Sequence, residues 1–203
     1  MTDSSPLPPP TIVSPKQAEE VEKLLLQGTG TPGAFIEFNF SFWSADKWQA
    51  GTEVKQDGTW SFTPEGAGLD KPGDVWIRVR QMKHWPAETS LPSETIHYRQ
   101  LLAPPVIKKP LEGESLPLIE QTIEGTAFYG SSLVDIELIK VSPLPTGTYK
   151  TSIKPDGGGF WKANPNWALT AGSYVLKARQ THTDSHGVTH VSNWTKDLPI
   201  LAG

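Results

Sequence analysis

The chain contains no cysteine among its 203 residues, which excludes a disulfide framework and a cysteine-ligated metal site. It also lacks any apolar run approaching the roughly 18 residues of a membrane span, so we expect no membrane insertion. Its 18 basic and 22 acidic residues nearly balance and form no basic run, so nucleic acid is not an expected partner. Residues 1–10 lack the apolar core of a signal peptide. We therefore expect either a segment of a longer chain or export by another route.

Turn-forming and aromatic residues are abundant instead, with 18 glycines, 19 prolines and 8 tryptophans. Such a composition favours pleated strands and turns over helices. Ile36, Phe38 and Phe40 alternate with Glu37 and Asn39, which predicts a strand with one buried and one solvated face. The sequence therefore predicts an all-β fold.

One stretch of the chain is ambiguous between helix and strand. Residues 16–26 are rich in charged side chains and look helical, but the matching region of the second half, 113–123, contains Pro117 and β-branched residues. We therefore interpret residues 21–27 as a strand.

An internal repeat with a period of 97 to 101 residues is the most informative feature of the sequence. A Gly-Thr pair, an Asp-Gly turn, a tryptophan, an Arg-Gln pair and a serine recur in the same order. The first copy has Gly28-Thr29, Asp57-Gly58, Trp60, Arg80-Gln81 and Ser93, and the second has Gly125-Thr126, Asp156-Gly157, Trp161, Arg179-Gln180 and Ser192. A period this long corresponds to a whole small domain. We predict a proline-rich leader over 1–9 and two domains over 10–102 and 103–203.

This order of signals resembles the tandem bacterial immunoglobulin-like (fibronectin III-like) domains of surface and secreted bacterial proteins, over residues 10–201. Residues 169–174 of the second copy look like the tyrosine corner of such sandwiches, with Tyr174 at the corner and Val75 in its place in the first copy. The resemblance implies two immunoglobulin-like β-sandwiches of about seven strands each, located outside the cell or on its surface. It implies spacer, adhesive or carbohydrate-recognition roles, and no catalytic residues or cofactors.

Residues that both copies share are expected to serve the framework. Trp60 and Trp161 occupy matched positions, which favours packing in the core over ligand binding. Asp57 and Asp156 each precede a glycine, so we expect their carboxylates to accept hydrogen bonds from local backbone N–H groups. The repeated Arg-Gln pair is likewise predicted to have a framework role, with the glutamine satisfying backbone groups at the base of a loop.

Three tryptophans, Trp43, Trp48 and Trp85, lie in connections of the first copy and have no counterpart in the second. Two interpretations are open. The rings form a platform that stacks on a sugar face or receives a protein anchor. Alternatively, they cap the open end of the sandwich or pack against the other domain.

Three histidines, His182, His186 and His190, are spaced four residues apart, with Asp184 between the first two. The surrounding residues predict a hairpin with His182 and His190 facing each other and His186 at its tip. Such a hairpin is compatible with a zinc-like site. The alternative is a solvated turn.

Motifs of catalysis are missing: the sequence has no nucleophile elbow and no phosphate-binding loop. We therefore predict a non-enzymatic tandem module that acts in adhesion, in binding or as a rigid spacer. The alternatives are a carbohydrate-binding module that uses the loop tryptophans and a metal-binding protein built on the histidines. The expected partner is a glycan or a host or cell-surface protein, and the expected state is a monomer or a part of a longer multidomain chain.

Overall fold

The computed structural model describes residues 6–64, 71–84, 87–130 and 132–203, and it divides into two compact units between Leu101 and Leu102. We call these unit 1 and unit 2. All regular secondary structure in these residues is β-strand. The described residues contain no helix with the length and apolarity needed to cross a membrane.

Unit 1 contains two sheets that face each other across a core. Its strands are β1 (Thr11–Ser14), β2 (Glu20–Val21), β3 (Leu26–Thr29), β4 (Phe35–Phe40), β5 (Gln49–Glu53), β6 (Thr59–Phe62), β7 (Gly73–His84), β8 (Ala87–Thr89) and β9 (Ile96–Gln100). The smaller sheet has the order β1-β3-β6, and the larger has the order β2-β9-β7-β4-β5, with β8 also paired to β7.

Unit 2 repeats this topology strand for strand. Its strands are β10 (Val106–Lys109), β11 (Ser115–Leu116), β12 (Ile123–Thr126), β13 (Leu133–Ser142), β14 (Gly147–Ile153), β15 (Phe160–Ala163), β16 (Gly172–Thr183), β17 (Thr189–Val191) and β18 (Leu198–Ala202). The orders are β10-β12-β15 and β11-β18-β16-β13-β14, with β17 on β16.

Within the described residues each unit has nine strand segments, which form the seven predicted strands because the first and the last strand are each divided into two segments. We call each of the seven a pass of the chain. In unit 1 the first pass is split, because β1 pairs with β3 in one sheet while β2 runs parallel to β9 in the other. The last pass is split as well, since β8 and β9 pair with opposite ends of β7. The predicted strand over 21–27 is therefore wrong in part: residues 22–25 lie outside the strands and cross from the larger sheet to the smaller one.

Strand alternation fills a separate hydrophobic core in each unit. The unit 1 core contains the inward residues of β4 and β7 with Trp60, and the unit 2 core contains those of β13 and β16 with Trp161. The alternation of β4 has one exception, because Asn39 was expected on the solvated face and is fully buried. Its Nδ2 group donates to the carbonyl oxygens of Ser44 and Lys47, so the β4–β5 connection folds over it.

One pair of residues matched in the sequence is not equivalent in the structure. The hydroxyl of Ser192 accepts the N–H of Gln180, and the residue that does the same for Gln81 is Ser90 rather than Ser93. The true counterpart of Ser93 is Thr195, since these hydroxyls accept the backbone N–H groups of Val79 and Ala178, which lie two residues before the matched glutamines. The hairpin before Ser192 is three residues longer than the one before Ser90, so matching the serines by sequence offset alone was wrong.

Candidate functional site

The outward face of the larger sheet carries the same cation–acid pair in both units. In unit 1 the Arg80 Nε atom lies 2.7 Å from Glu37 Oε2. In unit 2 the Arg179 Nε atom lies 3.1 Å from Asp135 Oδ2. These residues occupy matched positions on neighbouring strands, so the pair belongs to the repeated framework.

A second cation lies two residues earlier on the same strand of each unit. The Arg78 Nε group donates to Asn39 Oδ1 at 3.2 Å. Its counterpart Lys177 has its Nζ 3.2 Å from Glu137 Oε2, and Lys150 approaches the other oxygen of Glu137 at 2.7 Å. The hydrogen bond from Lys150 is the main cause that holds the pKa of Glu137 below its usual value.

A tryptophan ring packs against the two cations in each unit, but it comes from a different connection each time. Trp48, just before β5, has the guanidinium carbon of Arg80 at 4.4 Å from its ring centroid and that of Arg78 at 5.3 Å. Trp194, between β17 and β18, has the charged groups of Lys177 and Arg179 each at 4.7 Å. These are cation–π contacts, and both rings are half-buried.

The other loop tryptophans of the sequence analysis do not form an open platform with Trp48. Trp43 is half-buried and packs with its ring centroid 5.6 Å from that of Phe38 and 5.3 Å from that of Phe40, while the Lys47 Nζ lies 5.1 Å from the Trp43 centroid. This packing favours a capping role for Trp43. Trp85 lies outside the described residues.

The structure places the three histidines on a hairpin, with His182 paired to His190 across β16 and β17 and His186 exposed near the tip. His182 is buried, and its Nδ1 atom is 2.6 Å from the carbonyl oxygen of Gly130. The Nε2 atom of His190 is 3.4 Å from Asp184 Oδ2. Within the described ranges no three or more His, Cys, Asp or Glu residues are grouped so that they could hold a metal ion.

The carboxylate of Asp184 shapes the turn of this hairpin. It accepts the backbone N–H groups of His186 and Val188, and the Val188 bond is the main cause that lowers the pKa of Asp184. Asp156 accepts two local N–H groups in the same way, and Asp57 accepts the N–H and the hydroxyl of Thr59. These acids therefore hold turns.

The remaining structural residues of the sequence analysis lie inside the two cores. Trp60 and Trp161 are among the most buried side chains. Each ring lies directly over a glycine of the adjacent strand, and a Cβ atom at Gly28 or Gly125 would overlap it. Tyr174 is buried, and its hydroxyl donates to the carbonyl oxygen of Thr170 at 2.8 Å, as in a tyrosine corner.

Unit 1 also has an open cleft of about 510 Å³ on the outward face of β2, β9 and β7, which the sequence analysis did not identify. Two rows of side chains cross these strands. The first row is Glu20, Arg99 and Asp74, and the second is Ala18, His97 and Trp76. We call this site the Trp76 cleft. A comparison of outward positions between the two copies would have revealed it.

The two units differ sharply in chemistry at this position. The equivalent rows of unit 2 are Ser115, Leu201 and Ser173, followed by Gly113, Pro199 and Val175. The backbone pairing is the same in both units, and Gly113 donates its N–H to Pro199 as Ala18 does to His97. The fold therefore does not depend on the charged and aromatic groups of the Trp76 cleft.

The fold is similar to that of a solved receptor structure. The chicken interferon gamma receptor alpha chain has a TM-score of 0.52 and 9% sequence identity over 97% of this chain and 98% of that chain. Both units are immunoglobulin-like β-sandwiches. This agrees with the predicted fold class, and at this identity the likeness concerns the fold alone.

Two further similar structures consist of tandem domains. The FN1–FN3 domains of chicken CNTN1 have a TM-score of 0.36 and 13% identity over 98% of this chain and 67% of that one. The tetra-tandem repeat in the extending region of a large adhesion protein has a TM-score of 0.34 and 12% identity, over 95% and 47%. No protein-family model and no curated protein matches the sequence.

Proposed function

We propose that this chain is a non-catalytic tandem immunoglobulin-like module of a surface or secreted protein, of the kind found in bacteria, and that it acts in adhesion or ligand binding. The supporting observation is the repeated outward face of the larger sheets. Cations occupy matched positions on it in both units, and each is held by an acid or amide of the neighbouring strand and by a tryptophan ring. Charged groups that are engaged with one another in this way stabilise a scaffold.

Catalysis by a side chain requires a nucleophile, acid or base that is free to exchange protons with a substrate. The histidine and aspartate side chains of the β16–β17 hairpin, which suggested a reactive or metal-binding site in the sequence, are held by other contacts. His182 is buried against Gly130, and the carboxylate of Asp184 is occupied by backbone N–H groups and by His190. These commitments favour a binding module over an enzyme.

A location outside the cell is part of the same proposal. This part of the proposal rests on analogy with the interferon gamma receptor alpha chain, whose fold is similar. A rigid spacer is the alternative form of this function, in which the two units separate other parts of a longer protein.

The proposal is tested with beads that carry the whole chain, assayed for retention on surfaces coated with glycoproteins, with cell-surface proteins or with albumin. We expect retention on one of the first two coatings and none on albumin. Absence of retention on every coating would favour the spacer. Turnover of ester, glycoside or peptide substrates by the purified chain would contradict a non-catalytic role.

Carbohydrate recognition is the second candidate function. The loop tryptophans support it less than expected, because Trp43 packs against Phe38 and Phe40 of the core and the ring of Trp48 has two arginines against it. The feature that favours it is the Trp76 cleft, where an aromatic ring lies next to charged side chains.

A further inference from the structure

We propose that the Trp76 cleft of unit 1 binds a neutral saccharide of one or two sugar rings. This inference rests on the proposed binding function and names its site and its ligand class. The cleft volume of about 510 Å³ falls within the range of roughly 300 to 1,000 Å³ that is common for small-molecule sites.

The shape of the cleft suits a flat ligand. Trp76 is half-buried, lines the cleft and lies opposite His97 on the neighbouring strand, and the guanidinium carbon of Arg78 is 5.7 Å from its ring centroid. The third position of the row is Ala18, whose small side chain leaves room at the edge of the sheet. An aromatic ring beside open space provides an apolar surface for the C–H face of a sugar.

The polar groups of the cleft suit hydroxyl groups. Asp74 and Glu20 are exposed acceptors, and Arg99 lies between them as a donor. None of these three side chains makes a hydrogen bond or an ion pair with another side chain in the part of the chain that the structure describes. A sugar hydroxyl both donates and accepts, so a row that alternates acceptor, donor and acceptor can bind adjacent hydroxyls.

The charge pattern argues against an ionic ligand. The two carboxylates outnumber the guanidinium, so the row repels an anion such as phosphate, and Arg99 occupies the position between the carboxylates that a shared cation would need. A neutral ligand avoids both costs. The balance of charge and the aromatic wall therefore both favour a saccharide.

The internal repeat supports a specific role for these residues. At the same backbone positions unit 2 has small or apolar side chains, including Leu201 for Arg99 and Val175 for Trp76. Paired charges recur in both copies, whereas the uncommitted charges of the cleft occur in unit 1 alone. Residues that stabilise the fold are expected to recur in both units. The cleft residues do not recur, which favours a role in binding over a role in the framework.

The test uses the full chain on an array of neutral mono- and disaccharides, followed by titration calorimetry with each saccharide that binds. The first variant is Trp76→Val and the second is Arg99→Leu, since unit 2 carries those residues within the same fold. Val175→Thr at the matching site of unit 2 is the control. We expect each of the first two variants to weaken binding by about tenfold or more and the control to leave it unchanged.

Three outcomes overturn the proposal. They are no binding of any neutral saccharide at millimolar concentration, binding that survives both variants, and binding lost in Trp48→Ala but retained in Trp76→Val. Because Arg99 is exposed, Arg99→Leu gives a clear answer even where Trp76→Val lowers the melting temperature. Retention of coated beads on a protein surface without saccharide binding would contradict this inference alone and leave the proposed function in place.

Discussion

Two glycines determine where the largest core side chains of this protein lie. A glycine within a strand normally weakens the strand, so its presence calls for a reason. At Gly125 an added Cβ would overlap the ring of Trp161 and the carbonyl oxygen of Val106, and Gly28 has the same relation to Trp60 and Thr11. The glycine and the tryptophan therefore form one packing unit, and this explains why the sequence repeats both.

The first prediction concerns Gly125→Ala. The new methyl group must displace either the buried indole or the backbone of β10, so we expect unit 2 to lose about 1 to 3 kcal/mol of unfolding free energy. That loss corresponds to a fall of roughly 4 to 8 °C in melting temperature per kcal/mol for a domain of this size. Thermal denaturation followed by circular dichroism measures it.

The matched control for Gly125 is Gly147→Ala in β14, where an added Cβ meets nothing within 4 Å. We expect its effect to stay within about 0.5 kcal/mol. Equal losses in the two variants would contradict the packing explanation and indicate a general cost of alanine in these strands.

Aromatic residues show what the sequence can and cannot predict at this scale. The matched positions of Trp60 and Trp161 were sufficient to predict packing. The partners of Trp48 were not predictable, because Trp48 and Trp194 cover equivalent cations from connections that are far apart in the chain order of each unit. The spacing of residues in the sequence therefore could not predict that the two rings contact equivalent cations. A binding role for Trp76 was not predictable either, because alternation shows only that it is an outward residue of a strand.

At the scale of elements, a buried glutamine fastens the start of each unit. Gln81 on β7 accepts the N–H of Thr31 at 2.8 Å and donates to the carbonyl oxygen of Pro8 at 2.5 Å. Gln180 on β16 accepts from Phe128 and donates to Ala103 in the same way. The residues just before the first strand are therefore tied to the centre of the opposite sheet, which accounts for the repeated Arg-Gln pair.

The second prediction is that Gln81→Leu loosens the start of unit 1. The substitution removes the hydrogen bonds of Gln81 to the Thr31 N–H and the Pro8 carbonyl, and each bond is worth about 0.5 to 1.5 kcal/mol. We expect a lower melting temperature and faster hydrogen exchange at the amides of β1. Gln56→Leu in an exposed turn is the control, with an expected change within about 0.5 kcal/mol. Unchanged exchange in β1 would contradict the proposed tie.

The third prediction concerns pH and Glu137, which Lys150 and Lys177 both approach. Its pKa in the folded state is lower than the ordinary value of 4.5, chiefly because of the hydrogen bond from Lys150. The stabilisation is therefore fully present above pH 4.5 and is lost as the pH falls through the folded-state pKa. Because the pairs lie at the surface, we expect a total effect of about 1 kcal/mol or less.

The measurement for Glu137 is the melting temperature between pH 7 and pH 3 in the intact chain and in Glu137→Gln. The variant should lose less stability on acidification than the unchanged chain, since its amide does not titrate. Glu112→Gln, which alters an exposed carboxylate, is the control and should follow the unchanged chain. Parallel curves for all three proteins would rule out a contribution from this ion pair.

The topology was largely predictable at the level of elements, and its interruptions were not. Alternation in β4, β7, β13 and β16 revealed which residues face the core, because a half-buried strand must alternate. The division of the first strand between two sheets depends on pairing with distant segments, and only the fold reveals it. The mismatch of Ser93 with Ser192 has a similar origin, because loop length changes the offset without changing the hydrogen bonds.

For the whole molecule, the repeat separates what the fold needs from what it does not. Both units share the buried tryptophans, the glutamine tie and the paired cations of the outward face. They differ at the Trp76 cleft, where unit 1 alone has charged and aromatic side chains. Duplication of a stable sandwich allows one copy to acquire a site while the other copy preserves the architecture.

The last prediction is that unit 2 folds without unit 1. All residues of its core cluster lie between Leu116 and Ala202, and the partly buried residues packed against the cluster also belong to this unit. A fragment of residues 102–203 should therefore show dispersed amide resonances and a cooperative thermal transition. Trp161→Ala in the same fragment removes the largest core side chain and should lower its stability by about 3 to 5 kcal/mol. A fragment that is unfolded before any substitution would mean that unit 2 needs unit 1 to complete its structure.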